Sequence, residues 1–141
     1  VHPIAVKMAL QCKGPDRVCL ITDSNVGAGL PPGRHNFMGC EVEFKFQGGP
    51  ARMTKNSRFP GCLAGSGLTM DMAMRNAIEM LDVDLPLAVR MASANPAKVL
   101  RLDHKKGQIK KGFDADLVML DKALQVQQTW VSGKSVYCKN K

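Results

Sequence analysis

The six residues RVCLIT, from Arg17 to Thr22, narrow the fold of this chain more than any other stretch. Val18 to Ile21 form a short, unbroken apolar run. Such a run suits a strand buried on both faces, as in a parallel sheet flanked by helices. The preceding PIAVKMALQCKG reads as a helix: Pro3 suits its first turn, Ile4, Met8 and Cys12 share a face, and Gly14 stops it. Helix, tight GPD turn and buried strand together make the rhythm of an α/β fold.

The run is followed by TDSNVGAGLPPG, which sets Asp23 at its end and a glycine-rich loop behind it. A carboxylate at the C-terminal end of a buried parallel strand stands where α/β barrels and open sheets place their sites. Thr22 and Ser24 flank it as possible hydrogen-bonding partners that would orient it. An Asp here also suits the plain task of capping a turn, so both readings stay open. Gly27, Gly29 and Gly33 give G-x-G-x-x-x-G, one residue off the dinucleotide fingerprint. That fingerprint needs a helix to start inside the loop and face the pyrophosphate. Pro31-Pro32 falls where the helix should begin and pushes Leu30 and Pro31 extended. The loop therefore reads as a flexible rim. GQIKKGFD likewise lacks the Lys-Ser/Thr pair of a P-loop.

Further along, EVEFKF alternates charged and apolar residues, as a half-exposed antiparallel strand does; QGGP is its turn and ARMT the return strand. LAGSGLTMDMAMRNAIEMLD holds the clearest helix, with Met70, Met74, Ala77, Ile78 and Leu81 at helical spacing as a core stripe and Ser66 or Thr69 as cap. LPLAVRMASANPAKVLRL makes two short helices, Pro86 opening the first and Asn95-Pro96 capping and opening the second. Beyond Asp103 come KKGQI, ADLVMLD, VQQTWVSG and KSVYC, read as short strands. A boundary is expected near residue 103. Residues 1–103 form the α/β part, with a β-hairpin insertion at about 35–53. Residues 104–141 form a small β part, too short for a core of its own.

Composition removes several functions. The chain has 141 residues, 20 Lys plus Arg against 12 Asp plus Glu, and a net charge of +8. The basic residues are dispersed and no aromatic residues are interleaved with them, so a base-stacking surface, and with it nucleic acid, is not expected. No apolar run approaches the roughly 20 residues of a membrane span. Five cysteines, an odd number without CxxC spacing, point to a reducing, cytoplasmic compartment with no disulfide frame and no zinc site. Cys12, Cys19 and Cys40 lie in apolar segments, as buried free thiols do. His2, His35 and His104 fall in no HxH or HExxH pattern, so no metal site is expected from this chain alone. His104 is read as solvated in an exposed DHKKG turn. The start lacks both a Met and the pattern of a signal peptide, which suggests a piece of something longer.

The blocks VHP, ITDSNVGAGLPPG, LAGSGLTMD, AVRMASANPAKVL and GQIKKGFDADLVMLD occur in an order that resembles the N-acetylglucosamine-6-phosphate deacetylases of the amidohydrolase superfamily. The ending built on Gly107, Ile109, Gly112, Ala115, Asp116, Leu117 and Val118 is shared widely across that superfamily. The TDS and LAGS-x-LTMD pair is narrower. The resemblance covers nearly all of this chain but only the last third or so of such an enzyme.

The resemblance implies the C-terminal part of a metal-dependent (β/α)8 barrel of roughly 250 residues, plus strands of a small β-sandwich domain. It implies that Asp23 is the acid/base of a metal-assisted amide hydrolysis, in which a divalent metal lowers the pKa of a water that attacks the acetamide. Leu63, Ala64 and Gly65 would line the sugar pocket with their backbone. The metal, Zn or Fe, would be held by a Glu and two His that are absent here. The amino-sugar phosphate is the implied substrate, a homodimer the expected assembly, and the isolated chain should be inactive. The alternatives are another amidohydrolase, acting on a cyclic amide or as a deaminase, and a non-catalytic remnant acting only in assembly.

Overall fold

The computed structural model describes residues 2–139. They fall into two compact units, Ile21–Ala73 and, around it in sequence, the residues up to Leu20 with those from Met74 onward. Helix and sheet are mixed, and both sheets are antiparallel.

The unit Ile21–Ala73 is built on one four-stranded sheet, ordered β1 (Gly33–Phe37), β2 (Cys40–Phe44), β3 (Pro50–Met53) and β4 (Leu63–Ser66). The alternation in EVEFKF becomes β2: Val42 and Phe44 are buried on one face, while Glu41 and Glu43 lie on the other. Val42, Phe44 and Ala51 form the core, with Phe37, Met53 and Ala64 against it. Cross-strand pairing sets Arg34 opposite Glu43, and Arg34 Nε donates to Glu43 Oε1 at 3.3 Å. His35 lies on β1, its ring edge-on to Phe44 with centroids 5.7 Å apart.

The other unit carries α1 (Pro3–Lys13), α3 (Leu85–Ala92), α4 (Ala94–Val99) and a three-stranded sheet of β5 (Leu117–Leu120), β6 (Val126–Val131) and β7 (Lys134–Cys138). Helix α2 (Met70–Leu81) crosses the division between units. Of its stripe, Met74 and Ala77 are buried together with Val83, Ala88 and Met91, and Ile78 and Leu81 pack beside them. Asp84 caps α3, its carboxylate accepting from Leu87 N at 2.9 Å, and Pro86 stands in the first turn, where no N–H is needed.

Several elements differ from the expectation. RVCLIT forms no strand. Residues 18–23 are in neither helix nor strand, Leu20 N donates to Met91 O at 2.9 Å, and Ile21 is 75% exposed. A buried parallel strand needs a ladder on each side, and among the described residues the one isolated parallel bridge, Ser24 to Ser66, falls just past this segment. LAGS, read as the approach to a helix, is strand β4, and α2 starts at Met70. KKGQI is turn and bend, with Ile109 92% exposed.

Helix α1 buries none of its residues: Ile4 and Met8 share a face and are 62% and 59% exposed. His2 caps it, Nδ1 accepting from Ile4 N. The three cysteines read as buried thiols are not: Cys12 is exposed, Cys19 and Cys40 half-buried.

Asn95 is not a cap. It lies inside α4, 6% exposed, and its amide nitrogen donates to Pro15 O at 2.8 Å and Val18 O at 2.7 Å. The side chain supplies a partner to the Val18 carbonyl and a second one to the Pro15 carbonyl, which also accepts from Val18 N at 3.5 Å. Leaving such groups unpaired costs about 1–3 kcal/mol.

Candidate active site around Asp23

Asp23 is exposed and has φ +49, in the left-handed region that non-glycine residues seldom occupy. Asp tolerates this region better than most side chains, but a surrounding structure must still hold it there. Strand β4 does so. Ser66 N donates to Asp23 O at 2.8 Å, and Asn25 N donates to Ser66 O at 2.9 Å, the two bonds of the parallel bridge that pairs Ser24 with Ser66. Ser66 Oγ donates to Thr22 O at 2.5 Å and accepts from Leu68 N at 3.1 Å. Asn25 Nδ2 reaches Ala64 O at 2.5 Å. Thr22 O, Asp23 O and Asn25 N are thereby all fixed to Ser66 of one strand.

Gly65 makes the approach possible. Its φ is +85, and a Cβ there would lie 2.7 Å from Asp23 O. The expected hydroxyl partners behave differently. Thr22 Oγ1 and Ser24 Oγ bond each other at 3.0 Å, and Ser24 N donates to Thr22 Oγ1 at 3.3 Å. They tie the turn together rather than grip the carboxylate. Among the described residues no hydrogen bond or ion pair occupies that carboxylate, which leaves both oxygens available to a ligand.

Hydrogen bonds within the glycine loop close it into successive turns. Ala28 N donates to Asn25 O, Leu30 N to Gly27 O, and Gly27 N to Asn25 Oδ1. Gly27 is buried, and a Cβ on it would come within 2.3 Å of the Phe44 ring, itself 3% exposed. Its glycine serves close packing on an aromatic core residue. No helix starts in the loop.

The structure thus gathers Asp23 with Ala64, Gly65 and Ser66. Leu63 stands at the start of β4 with its side chain 64% exposed. Ser66 and Asn25 are the residues that sequence reasoning passed over as site elements. The signal for Asn25 was its place two residues before Gly27, where an Asn side-chain oxygen accepts from the backbone N–H two residues on; nothing local marked Ser66 as its strand partner.

Elsewhere, Lys106 Nζ bridges Asp114 Oδ2 at 2.8 Å and Asp116 Oδ2 at 2.5 Å, and Asp116 Oδ1 accepts from Ser132 N at 2.8 Å. Hydrogen bonds to the two carboxylates hold the Lys106 pKa above its ordinary value, and Lys106 with the Ser132 amide holds Asp116 below its own. This cluster clasps the 105–116 loop to the β6–β7 turn. His104 is exposed.

The Amidohydrolase family model matches residues 5–136. The chain belongs to the amidohydrolase family. It is 40% identical over 134 residues to two Escherichia coli proteins. One is an N-acetylgalactosamine-6-phosphate deacetylase; the other is provisionally named for the same activity. Each match takes in 95% of this chain, but 33% of the first relative and 75% of the second. An N-acetylglucosamine-6-phosphate deacetylase from Lysinibacillus sphaericus is 39% identical over 95% of this chain and 33% of its own. In structure, the N-acetylglucosamine-6-phosphate deacetylase of Pasteurella multocida superposes with a TM-score of 0.84 at 28% identity, over 96% of this chain and 34% of that one. The chain therefore spans about a third of the length of most relatives it matches.

Amidohydrolases generally use a divalent metal. Among the described residues no three His, Cys, Asp or Glu side chains gather where they could hold one. These residues do not fit a metal by themselves. No helix among them is long and apolar enough to cross a membrane.

Proposed function

We propose that this chain carries the proton-transfer carboxylate of an amino-sugar 6-phosphate deacetylase. The reaction is hydrolysis of the acetamide of N-acetylglucosamine 6-phosphate to glucosamine 6-phosphate and acetate. The observation that supports it is Asp23: an exposed carboxylate on a left-handed turn, clamped through its backbone by β4, in a chain whose relatives are named for that activity.

In this reading Asp23 accepts a proton as water adds to the acetamide carbonyl, forming the new C–O bond. It then delivers that proton to the sugar nitrogen as the C–N bond breaks, so acetate and a free amine leave. One carboxylate serves both steps when it lies within hydrogen-bond reach of the water and then of the nitrogen. A turn held by β4 suits that placement. Backbone groups of Leu63, Ala64 and Gly65 line the sugar pocket beside it.

The same reading takes residues 1–103 as barrel strand and helices and 104–141 as strands of a small β-sandwich domain, in a cytoplasmic (β/α)8 enzyme. The ligands of its metal come from residues other than those described here. The exposed Ile21 suits coverage by further chain, and a homodimer is the expected assembly.

A second substrate is favoured by a specific observation: the two relatives at 40% identity are named for N-acetylgalactosamine 6-phosphate. The two sugars differ at one hydroxyl and present the same acetamide to Asp23. Acetate release from each sugar phosphate, set against ring-opening hydrolysis of a cyclic amide such as dihydrouracil, tests the assignment. Turnover of either sugar phosphate with none of the cyclic amide is expected. The reverse pattern would move the protein to another branch of its family.

A further inference from the structure

Asp23 is fixed by its backbone, since no side chain among the described residues grips its carboxylate. The carbonyl of Asp23 itself is held by Ser66 N at 2.8 Å, the carbonyl before it by Ser66 Oγ at 2.5 Å, and Ser66 O takes Asn25 N at 2.9 Å. One residue thus meets the chain before, at and after the turn. Ser66 Oγ is doubly used, because it also accepts from Leu68 N at 3.1 Å. Beside it, Gly65 lets β4 come so close that a Cβ would stand 2.7 Å from the Asp23 carbonyl oxygen.

We propose that Ser66, with Gly65 beside it, is a positioning residue for Asp23: its hydroxyl and backbone hold the left-handed turn that aims the carboxylate at the reacting amide. The inference rests on the reading of Asp23 as the proton-transfer group. Its chemical content is narrower than structural support. The left-handed conformation is costly for a non-glycine residue, so a turn released from Ser66 relaxes to an extended backbone and swings the carboxylate away. A displacement of about 1 Å at a reacting group is enough to slow turnover roughly 100-fold while leaving substrate binding in place.

The test is a double-mutant cycle in the full-length, metal-loaded protein, following acetate release, with amide hydrogen exchange as a readout independent of turnover. Ser66→Ala is expected to lower kcat about 10- to 100-fold with KM changed less than about threefold. Ser66→Thr, which keeps the hydroxyl, should restore most of that loss. Exchange at the Ser66 and Asn25 amides should quicken in Ser66→Ala, with the amides of β1 and β2 unchanged. Combined with Asp23→Asn, Ser66→Ala should add no further loss, because it acts only through that carboxylate.

Should Ser66→Ala fail to fold, Gly65→Ala enters the same cycle, where it should slow turnover and likewise add nothing on top of Asp23→Asn. Losses that multiply in the double variant, or wild-type kcat in Ser66→Ala beside an inactive Asp23→Asn, would overturn the positioning role. Full activity in Asp23→Asn would instead overturn the reading of Asp23, a result distinguishable from either.

Discussion

Asp23 and Asn95 both depend on partners distant in sequence, Asp23 through its backbone and Asn95 through its side chain. Asp23 ends the apolar run, and a strand-end carboxylate in an α/β chain is a recognisable site signal. No strand precedes it in the structure, and its left-handed backbone was not legible, because φ at a non-glycine residue depends on partners far away in sequence; Ser66 is one of them. Asn95 was misread for a related reason. Asn-Pro is a cap signature by local rules, yet this amide turns toward Pro15 and Val18, about eighty residues earlier in the chain. Replacing Asn95 with Ala removes both donors and leaves the two carbonyls without them. Thermal or urea unfolding should show a loss of about 1–3 kcal/mol, whereas Asn95→Ser, too short to reach both, should recover little of it.

At the scale of elements, periodicity carried the reading where one face is buried. The α2 stripe and the alternation of β2 were legible because Met74, Ala77, Val42 and Phe44 occupy cores. Strand β4 was hidden because LAGS is four residues long, contains a glycine and precedes a strong helix, so no pattern of period two could develop. Its pairing with β3, rather than its composition, makes it a strand.

The Gly27 contact gives a prediction at this scale. Gly27→Ala drives a methyl group into the buried Phe44 ring and should destabilise the fold by about 1–3 kcal/mol, measured by denaturant unfolding. Phe44→Leu in the same background opens that space and should return part of the loss.

The Lys106 clasp sets a pH window. The Asp116 pKa is lowered, so its contribution is present above the ordinary value of 3.8 and is lost as pH falls through the lower folded value. The Lys106 pKa is raised, so its contribution is present below the ordinary value of 10.5 and fades as pH rises through the folded one. Asp116→Asn should flatten the acid side of a melting-temperature profile relative to the parent protein. The effect should be small and weakened by salt, because the groups are solvent-exposed.

For the whole molecule, the family was readable from five spaced blocks, while the architecture was only partly so. Segments 18–23 and α1 carry apolar residues that stay exposed, Ile21, Ile4 and Met8 among them. Their sequence patterns are those of buried elements, and the described residues do not bury them. That mismatch accords with a chain that spans about a third of most relatives it matches. It also explains why a run of apolar residues was read as a strand: the pattern reports burial, and the ladder that would make it a strand needs neighbours not found among these residues.

The central claim is that Asp23 moves the proton in acetamide hydrolysis. It is tested most directly by acetate release from N-acetylated glucosamine and galactosamine 6-phosphates, comparing the full-length protein with its Asp23→Asn variant at matched folding and metal content. The account predicts a loss in kcat of about 100- to 10,000-fold for whichever sugar is turned over, with KM little changed. Asparagine in place of Asp23 with turnover within a few-fold of the parent would contradict it.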